Sequence, residues 1–207
     1  KYEDLRYGEN PHQKGSIYIN DIKDKEINLD KIHGKKLSYN NYNDSLTAVE
    51  MIKSFREKPT TVIIKHANPC GVSVNKSAFK SYLNALKSDP VSAYGGILAV
   101  NYKISEKIAK EINKNFYEVV IADSINNQAL KILKQKKNLR ILKSNKFRLK
   151  SSENIKFFDG KFMIQSKDNI VLDKKKIKFV TKKKIKKKDM AEAEFAFNVC
   201  RFVKSNS

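Results

Sequence analysis

The stretch Thr60-Thr61-Val62-Ile63-Ile64-Lys65-His66-Ala67-Asn68-Pro69-Cys70-Gly71 delivers an ammonium and an imidazole, side by side, out of a β-branched run and into a Pro/Gly segment. Such a pair is suited to acid/base chemistry. An imidazole ordinarily titrates near about 6.5 and can serve as a general base or acid near neutral pH, and a lysine ammonium beside it can serve as a general acid. The apolar run reads as a strand buried on both faces, and Asn68-Pro69 with Gly71 reads as the turn that stops it. Neighbours on a strand point to opposite faces, so Lys65 and His66 serve one substrate only if the backbone leaves the strand here. Carboxyl ends of strands are where α/β sheets carry their sites.

Other chemistries fit less well. A Cys after Pro, as in Pro69-Cys70, is half of a deaminase zinc signature, but Ser73 stands where the second Cys is needed and no His-x-Glu precedes it. No metal cofactor is expected. No Gly-x-Ser-x-Gly elbow supplies a serine nucleophile, and Gly95-Gly96 completes neither a P-loop nor a dinucleotide fingerprint.

Several polar segments could bind rather than react. Leu5-Arg6-Tyr7-Gly8-Glu9-Asn10-Pro11-His12-Gln13 lacks a helix or strand period and reads either as a loop that holds a phosphate or sugar, or as a solvated connector. The segment from Gly34 to Asp44 is a second polar loop. Its Asn40 and Asn41 offer amide donors and acceptors that suit a ribose or carboxamide, although turn formation alone explains them. Gly95-Gly96 permits close backbone approach, of a ligand or of a neighbouring strand. Glu118, at the head of an apolar run, could accept ribose hydroxyls or simply be solvated.

The elements that must position these groups alternate. Asp44 is expected to cap a helix over residues 45–56; helices follow over 77–87, 105–113 and 126–136, with strands over 97–100, 118–122 and 139–142. Ala78, Tyr82, Leu83, Ala85 and Leu86 form the packing face of the first of these later helices. A short strand is expected over 16–19. The alternation argues for a layered α/β core with a mainly parallel, mixed sheet over about residues 1–145. The stretch 146–188 reads as an appended antiparallel hairpin, 155–158 and 162–165 joined through Asp159-Gly160, then a Lys-rich linker with one strand at Phe179-Val180. Asp189 should cap a final helix, 189–203, with Cys200 in its packed face along with Ala193, Phe197, Val199 and Val203.

Length and 40% hydrophobic content support a sizeable core. No apolar run spans a bilayer and no signal-peptide pattern occurs, which sets cytoplasm and no membrane partner as the expectation. Two cysteines do not suggest a disulfide framework. The charge of +21 invites a nucleic-acid-binding module, but only five of the 43 basic residues are Arg, and the Lys-Asn-Ile excess is what A/T-rich codons produce. No specific nucleic-acid partner is expected, while an anionic small molecule would be drawn by the field. The chain opens without Met and stops at Lys204-Ser205-Asn206-Ser207 directly after a helix, so it reads as a piece of something longer.

Five ordered blocks, residues 5–13, 34–41, 65–71, 89–96 and 202–207, together resemble the transformylase domain of the bifunctional AICAR transformylase/IMP cyclohydrolase family. The resemblance covers essentially the whole chain but only the first part of that domain, leaving the cyclohydrolase domain and the second transformylase subdomain outside it. It implies a three-layer α/β/α, cytidine-deaminase-like fold without zinc, and formyl transfer from 10-formyltetrahydrofolate to the 5-amino group of 5-aminoimidazole-4-carboxamide ribonucleotide (AICAR). It further implies Lys65 and His66 as catalytic residues and Arg6 on the nucleotide phosphate. Tyr7 and His12 would line the pocket, and Asn41 and Glu118 would contact base or ribose. Tyr94, Gly95 and Gly96 would border the base, Tyr94 standing where the family more often has Phe, and Asn206 would orient the carboxamide. The family works as a homodimer, so the piece alone is expected to carry part of a site and little or no activity. A folded but inert half-domain is the remaining alternative.

Overall fold

The sheet is assembled from runs that leave no other solution for their side chains: Val62–Ile64, Ile97–Val100, Val119–Ala122 and Ile141–Leu142 are buried throughout. The computed structural model describes residues 1–18, 29–55, 57–144, 153–168, 170 and 172–203. The chain divides into two compact units, Lys1–Arg148 and Leu149–Ser207.

The first unit opens with a short antiparallel ribbon of β1 (Glu3–Asp4) and β2 (Ser16–Ile17). There follow β3 (Leu29–His33), α1 (Tyr39–Ile52), β4 (Thr60–Lys65), β5 (Asn68–Val74), α2 (Ala78–Ser88) and β6 (Gly96–Val100). The unit continues through α3 (Glu106–Asn113), β7 (Tyr117–Ala122), α4 (Asn127–Lys134) and β8 (Arg140–Ser144). The six longer strands form one mixed sheet in the order β3-β8-β7-β6-β4-β5. Strands β8, β7 and β6 are parallel, β4 runs against β6, β5 runs against β4, and β3 runs against β8. Alternation along the strands splits the core. Ile63, Leu98, Val100, Val120, Ala122 and Ile141 pack with Tyr82, Ala85, Ile108, Ile112 and Leu133 of α2, α3 and α4. On the intervening positions Val62, Ile64, Ala99, Val119 and Ile121 are equally buried, and α1, which packs on β4, β6 and β7, contributes Ala48, Val49, Met51 and Ile52.

Helices α2, α3 and α4 begin at Ser77, Ser105 and Asn126, whose side chains accept from Lys80 N, Ile108 N and Gln128 N. Leu83, expected in the packing face of α2, is 37% exposed, because the helix lies with Tyr82 and Ala85 down. Helix α1 departs further from expectation. It starts six residues before Ser45, at a capping box in which Ser38 accepts from Asn41 N and the Asn41 side chain accepts from Ser38 N. Asp44 is therefore inside the helix rather than at its cap, and Arg56, the expected end, lies outside the described residues. Nor do Asn68, Pro69 and Gly71 form the turn. They belong to β5, the edge of the sheet, where a proline costs no ladder bond. Strand β3 is not among the expected elements, and β2 is shorter than expected, with Ile19 outside the described residues.

The second unit contains β9 (Glu153–Phe158) and β10 (Lys161–Ser166), joined at Asp159 and Gly160 with φ of 44° and 69°. Those values are what a two-residue primed turn requires. Phe157 stands opposite Phe162 and Ile155 opposite Ile164, with the two phenyl rings 5.1 Å apart. Lys174–Lys176 and Lys187–Asp189 are single 3₁₀ turns, and no strand forms at Phe179-Val180, both of which are exposed. Helix α5 (Met190–Cys200) follows Asp189, whose side chain makes no capping bond. Cys200 is exposed and no residue of α5 is buried, contrary to the expected packed face.

Candidate functional site

Strand β4 ends at Lys65 and β5 begins at Asn68, with Lys65 and Asn68 paired, so His66 and Ala67 alone make the connection. Both have positive φ, 55° and 56°, the signature of a type I′ turn. That turn normally takes Asn-Gly, because a β-carbon in the left-handed region costs about 1–2 kcal/mol per residue. Here it displays an exposed imidazole. The backbone thus leaves the strand directly after Lys65, but through His66 and Ala67 and not through the Pro/Gly segment. Lys65, half-buried, donates from Nζ to the carbonyl of Tyr94 at 2.7 Å.

That contact joins Lys65 to the Tyr94-Gly95-Gly96 segment. Tyr94 is 65% exposed and its ring leans on Phe116, with centroids 5.0 Å apart. Gly95 takes φ of 75° and donates to Phe116 O at 2.8 Å. A β-carbon on Gly96 would stand 3.0 Å from Ile64 O, so its close approach is to strand β4. Gly96 makes room for the neighbouring strand, and Gly95 supplies a left-handed residue.

Two sequence-distant loops meet at the start of α1. Arg6 N donates to Leu37 O at 2.9 Å, Tyr39 N donates to Tyr7 O at 3.1 Å, and Asn40 Nδ2 donates to Glu9 O at 3.0 Å. The loop over residues 5–13 is closed on itself by Gly8 N to Gln13 O at 2.8 Å. It presents Arg6 and His12 to solvent, with the Arg6 guanidinium carbon 5.2 Å from the Tyr7 ring centroid. Asn41 is buried and its amide oxygen is engaged in the capping box. Glu118, near the start of β7, is ion-paired to Arg140, which also donates to Lys36 O at 3.2 Å and so ties the strand to the 34–41 loop. Asn206 lies outside the described residues.

Lys65, Gly96, Glu118 and Arg140 therefore share one end of the sheet. It is the carboxyl end of β4 but the amino end of β6, β7 and β8, because β4 runs against its neighbours. Of the strands that bring candidate residues here, only β4 does so at its carboxyl end.

Two residues that hold this arrangement carried the wrong sequence reading or none. Asp44 accepts from the backbone N–H of His66 at 3.1 Å and of Ala67 at 2.8 Å, long-range contacts that no local pattern displays. Arg140 had a usable signal, being one of five arginines in a chain whose other cations are lysines, and a buried carboxylate–carbonyl fork is where Lys cannot substitute. Around the site, half-buried Asp89 is held below the usual carboxylate range by hydrogen bonds from Ser92, with Lys65 adding to the effect. Burial pushes the Cys70 thiol up to about 11, and its Sγ donates to Ile63 O at 3.4 Å. Cys70 thus stands as an unreactive thiol against the core. Among the described residues no cluster of His, Cys, Asp and Glu has the arrangement of a metal site, and no helix is long and apolar enough to cross a membrane.

The sequence profile described as AICARFT/IMPCHase bienzyme matches residues 1–207. The bifunctional purine biosynthesis protein PurH of Thermoanaerobacter sp. (strain X514) is 45% identical over all of this chain and 41% of its own length. The PurH of Acetivibrio thermocellus is 43% identical, over all of this chain and 41% of its own length. That of Buchnera aphidicola subsp. Schizaphis graminum is 44% identical, over all of this chain and 40% of its own length. The chain thus spans about two fifths of these relatives. A solved structure of Acinetobacter baumannii RibD aligns with 48% of this chain and 34% of that one, at a TM-score of 0.38 and 16% identity.

Proposed function

This chain belongs to the AICARFT/IMPCHase bienzyme family, and from that premise we propose that its first unit preforms the nucleotide half of a formyl-transfer site. The reaction moves a formyl group from 10-formyltetrahydrofolate to the 5-amino group of AICAR, within a purine-biosynthesis protein that also closes the ring to IMP. In this reading the unit is a deaminase-like α/β/α layer structure without a metal. The protein acts in the cytoplasm as a homodimer, and the folate-side groups come from residues beyond these 207.

One observation carries the proposal. Segments far apart in sequence converge on one sheet end, where Lys65 reaches Tyr94 O and the I′ turn displays His66. The chemistry suits them. The amine of AICAR is a weak nucleophile because its lone pair is delocalised into the ring and carboxamide. His66 removes the amine proton as nitrogen attacks the formyl carbon, and Lys65 stabilises the oxyanion that forms or protonates the folate nitrogen as its bond to carbon breaks. Arg6 supplies a planar cation for the ribonucleotide phosphate, with Tyr7 and His12 beside it. Glu118 and Asn41 take base or ribose groups, and Asn206 orients the carboxamide.

The test is kinetic, in the natural full-length protein that carries these residues. His66→Ala and Lys65→Ala should each lower kcat by at least about 10²-fold, the ordinary worth of acid/base assistance, while leaving nucleotide affinity within a few-fold. A His66→Ala protein that turns over at the wild-type rate would sink the assignment. The isolated 207-residue chain should show little or no turnover.

A further inference from the structure

Resting on the reading that His66 transfers the proton, we propose that Asp44 is the positioning residue of this site, clamping the His66–Ala67 turn in the one conformation that presents the imidazole. The argument starts from what the turn lacks. A two-residue connection between β4 and β5 needs positive φ at both positions, and chains ordinarily meet that need with Asn-Gly. His66 and Ala67 have β-carbons and lack the Asn-Gly pairing that ordinarily suits the left-handed region, so the tip calls for support from outside the hairpin.

Asp44 is that outside partner. Its two carboxylate oxygens are divided between consecutive amides, Oδ2 accepting from His66 N at 3.1 Å and Oδ1 from Ala67 N at 2.8 Å. It projects from the second turn of α1 in the same buried stripe as Asn41, Ser45, Ala48 and Ile52, and is only 9% exposed. Placing a carboxylate in that stripe is unfavourable unless its oxygens are satisfied, and two charge-assisted bonds to one turn satisfy them with a defined orientation. Rotating either turn residue to negative φ would swing an amide off the carboxylate.

A second feature of the hairpin points the same way. The β4–β5 register shifts between Ile63 and Ile64, where Ile63 pairs with Gly71 and Ile64 with Pro69. Bulges of this kind re-aim side chains beside sites. Gly71 cannot carry a β-carbon, which would stand 2.2 Å from Ala85 O, so the bulged strand is fixed against α2. The hairpin is therefore held at two places, by α2 against its bulged strand at Gly71 and by the α1 carboxylate on the tip amides. An Asn-Gly tip would make the same hairpin without strain and without a buried charge; both features serve a histidine that must stand at a left-handed position.

The test compares Asp44→Ala, Asp44→Asn, His66→Ala and Met51→Ala in the natural full-length protein. Met51 is fully buried on the same helix and has no part in the site. A misplacement of about 1 Å can cost about 10²-fold, so Asp44→Ala should lower kcat by about that factor with the nucleotide KM changed by no more than about threefold. Asp44→Asn, which keeps one acceptor, should fall between it and wild type. Met51→Ala should lower Tm at least as much as Asp44→Ala yet keep kcat within about twofold. A wild-type kcat in Asp44→Ala, or a loss matched by Met51→Ala, overturns the proposal while a dead His66→Ala leaves the catalytic reading standing. A wild-type kcat in His66→Ala removes that reading and the proposal with it. If Asp44→Ala does not fold, Asp44→Asn decides, read with amide exchange in the 207-residue chain. There the His66 and Ala67 amides should lose protection relative to Val62, and unchanged protection overturns the clamp.

Discussion

Arg140 and Glu118 form a pair whose members are unequally solvated, and that inequality determines which loss the fold bears better. The Arg140 side chain is 3% exposed and that of Glu118 is 36% exposed. Glu118→Ala leaves a guanidinium in the interior with Lys36 O at 3.2 Å and Glu118 O at 3.5 Å as its remaining partners. Stripping a buried charge of its counter-ion costs about 3–5 kcal/mol, and the two remaining carbonyls reduce the expectation to about 2–3 kcal/mol. Arg140→Met keeps the bulk and removes the charge. Glu118 then hydrates over the third of its surface that already meets water, and the Lys36 carbonyl loses a donor, at about 1–2 kcal/mol in total. The difference of about 1 kcal/mol corresponds to about 0.5 M in urea midpoint at a slope of about 2 kcal/mol/M. The assay is urea unfolding of the 207-residue chain, followed by near-ultraviolet circular dichroism of buried Tyr82 and Tyr117, which reports on the first unit. The double variant should be no less stable than Glu118→Ala alone, because the uncompensated charge is gone. Arg140→Met as the more damaging change, or strict additivity of the two, would refute the reasoning.

Two further outcomes follow from the same structure. Gly34 has φ of 90° and a β-carbon there would stand 2.1 Å from Leu139 O, so Gly34→Ala should cost about 2–4 kcal/mol and lower Tm by roughly 5–10 °C, read by differential scanning calorimetry. With the Cys70 thiol pushed up to about 11, it stays protonated at pH 8; iodoacetamide should label exposed Cys200 and leave Cys70 nearly untouched. Its labelling should then rise about tenfold per pH unit up to pH 10, as peptide mass spectrometry would show.

What the sequence made legible is what local chemistry controls. The buried runs of β4, β6, β7 and β8, the helix starts near Ser77, Ser105 and Asn126, and the Asp159-Gly160 turn are written in contiguous residues, and each stands where its pattern says. The start of α1 was hidden because its capping box uses Asn41 in place of Glu or Gln, and because Asn40, Asn41 and Asn43 favour turns when read alone. Packing of Ala48, Val49 and Ile52 against the sheet overrides them. Strand β5 was hidden by Pro69 and Gly71, which only an edge position and a bulge accommodate. The adjacency of Lys65 and His66 at the end of an apolar run was visible in the sequence. Its supports were not, since Asp44 to Ala67 and Arg140 to Lys36 are contacts across 23 and 104 residues.

The most direct test of the central claim is a calorimetric titration of the 207-residue chain with AICAR, beside its Arg6→Ala variant. The account predicts saturable binding to the wild-type chain, weakened about tenfold or more in Arg6→Ala by loss of a charge-assisted phosphate contact. No saturable binding at millimolar nucleotide, or equal affinity in the two proteins, would contradict a nucleotide half-site preformed at this end of the sheet.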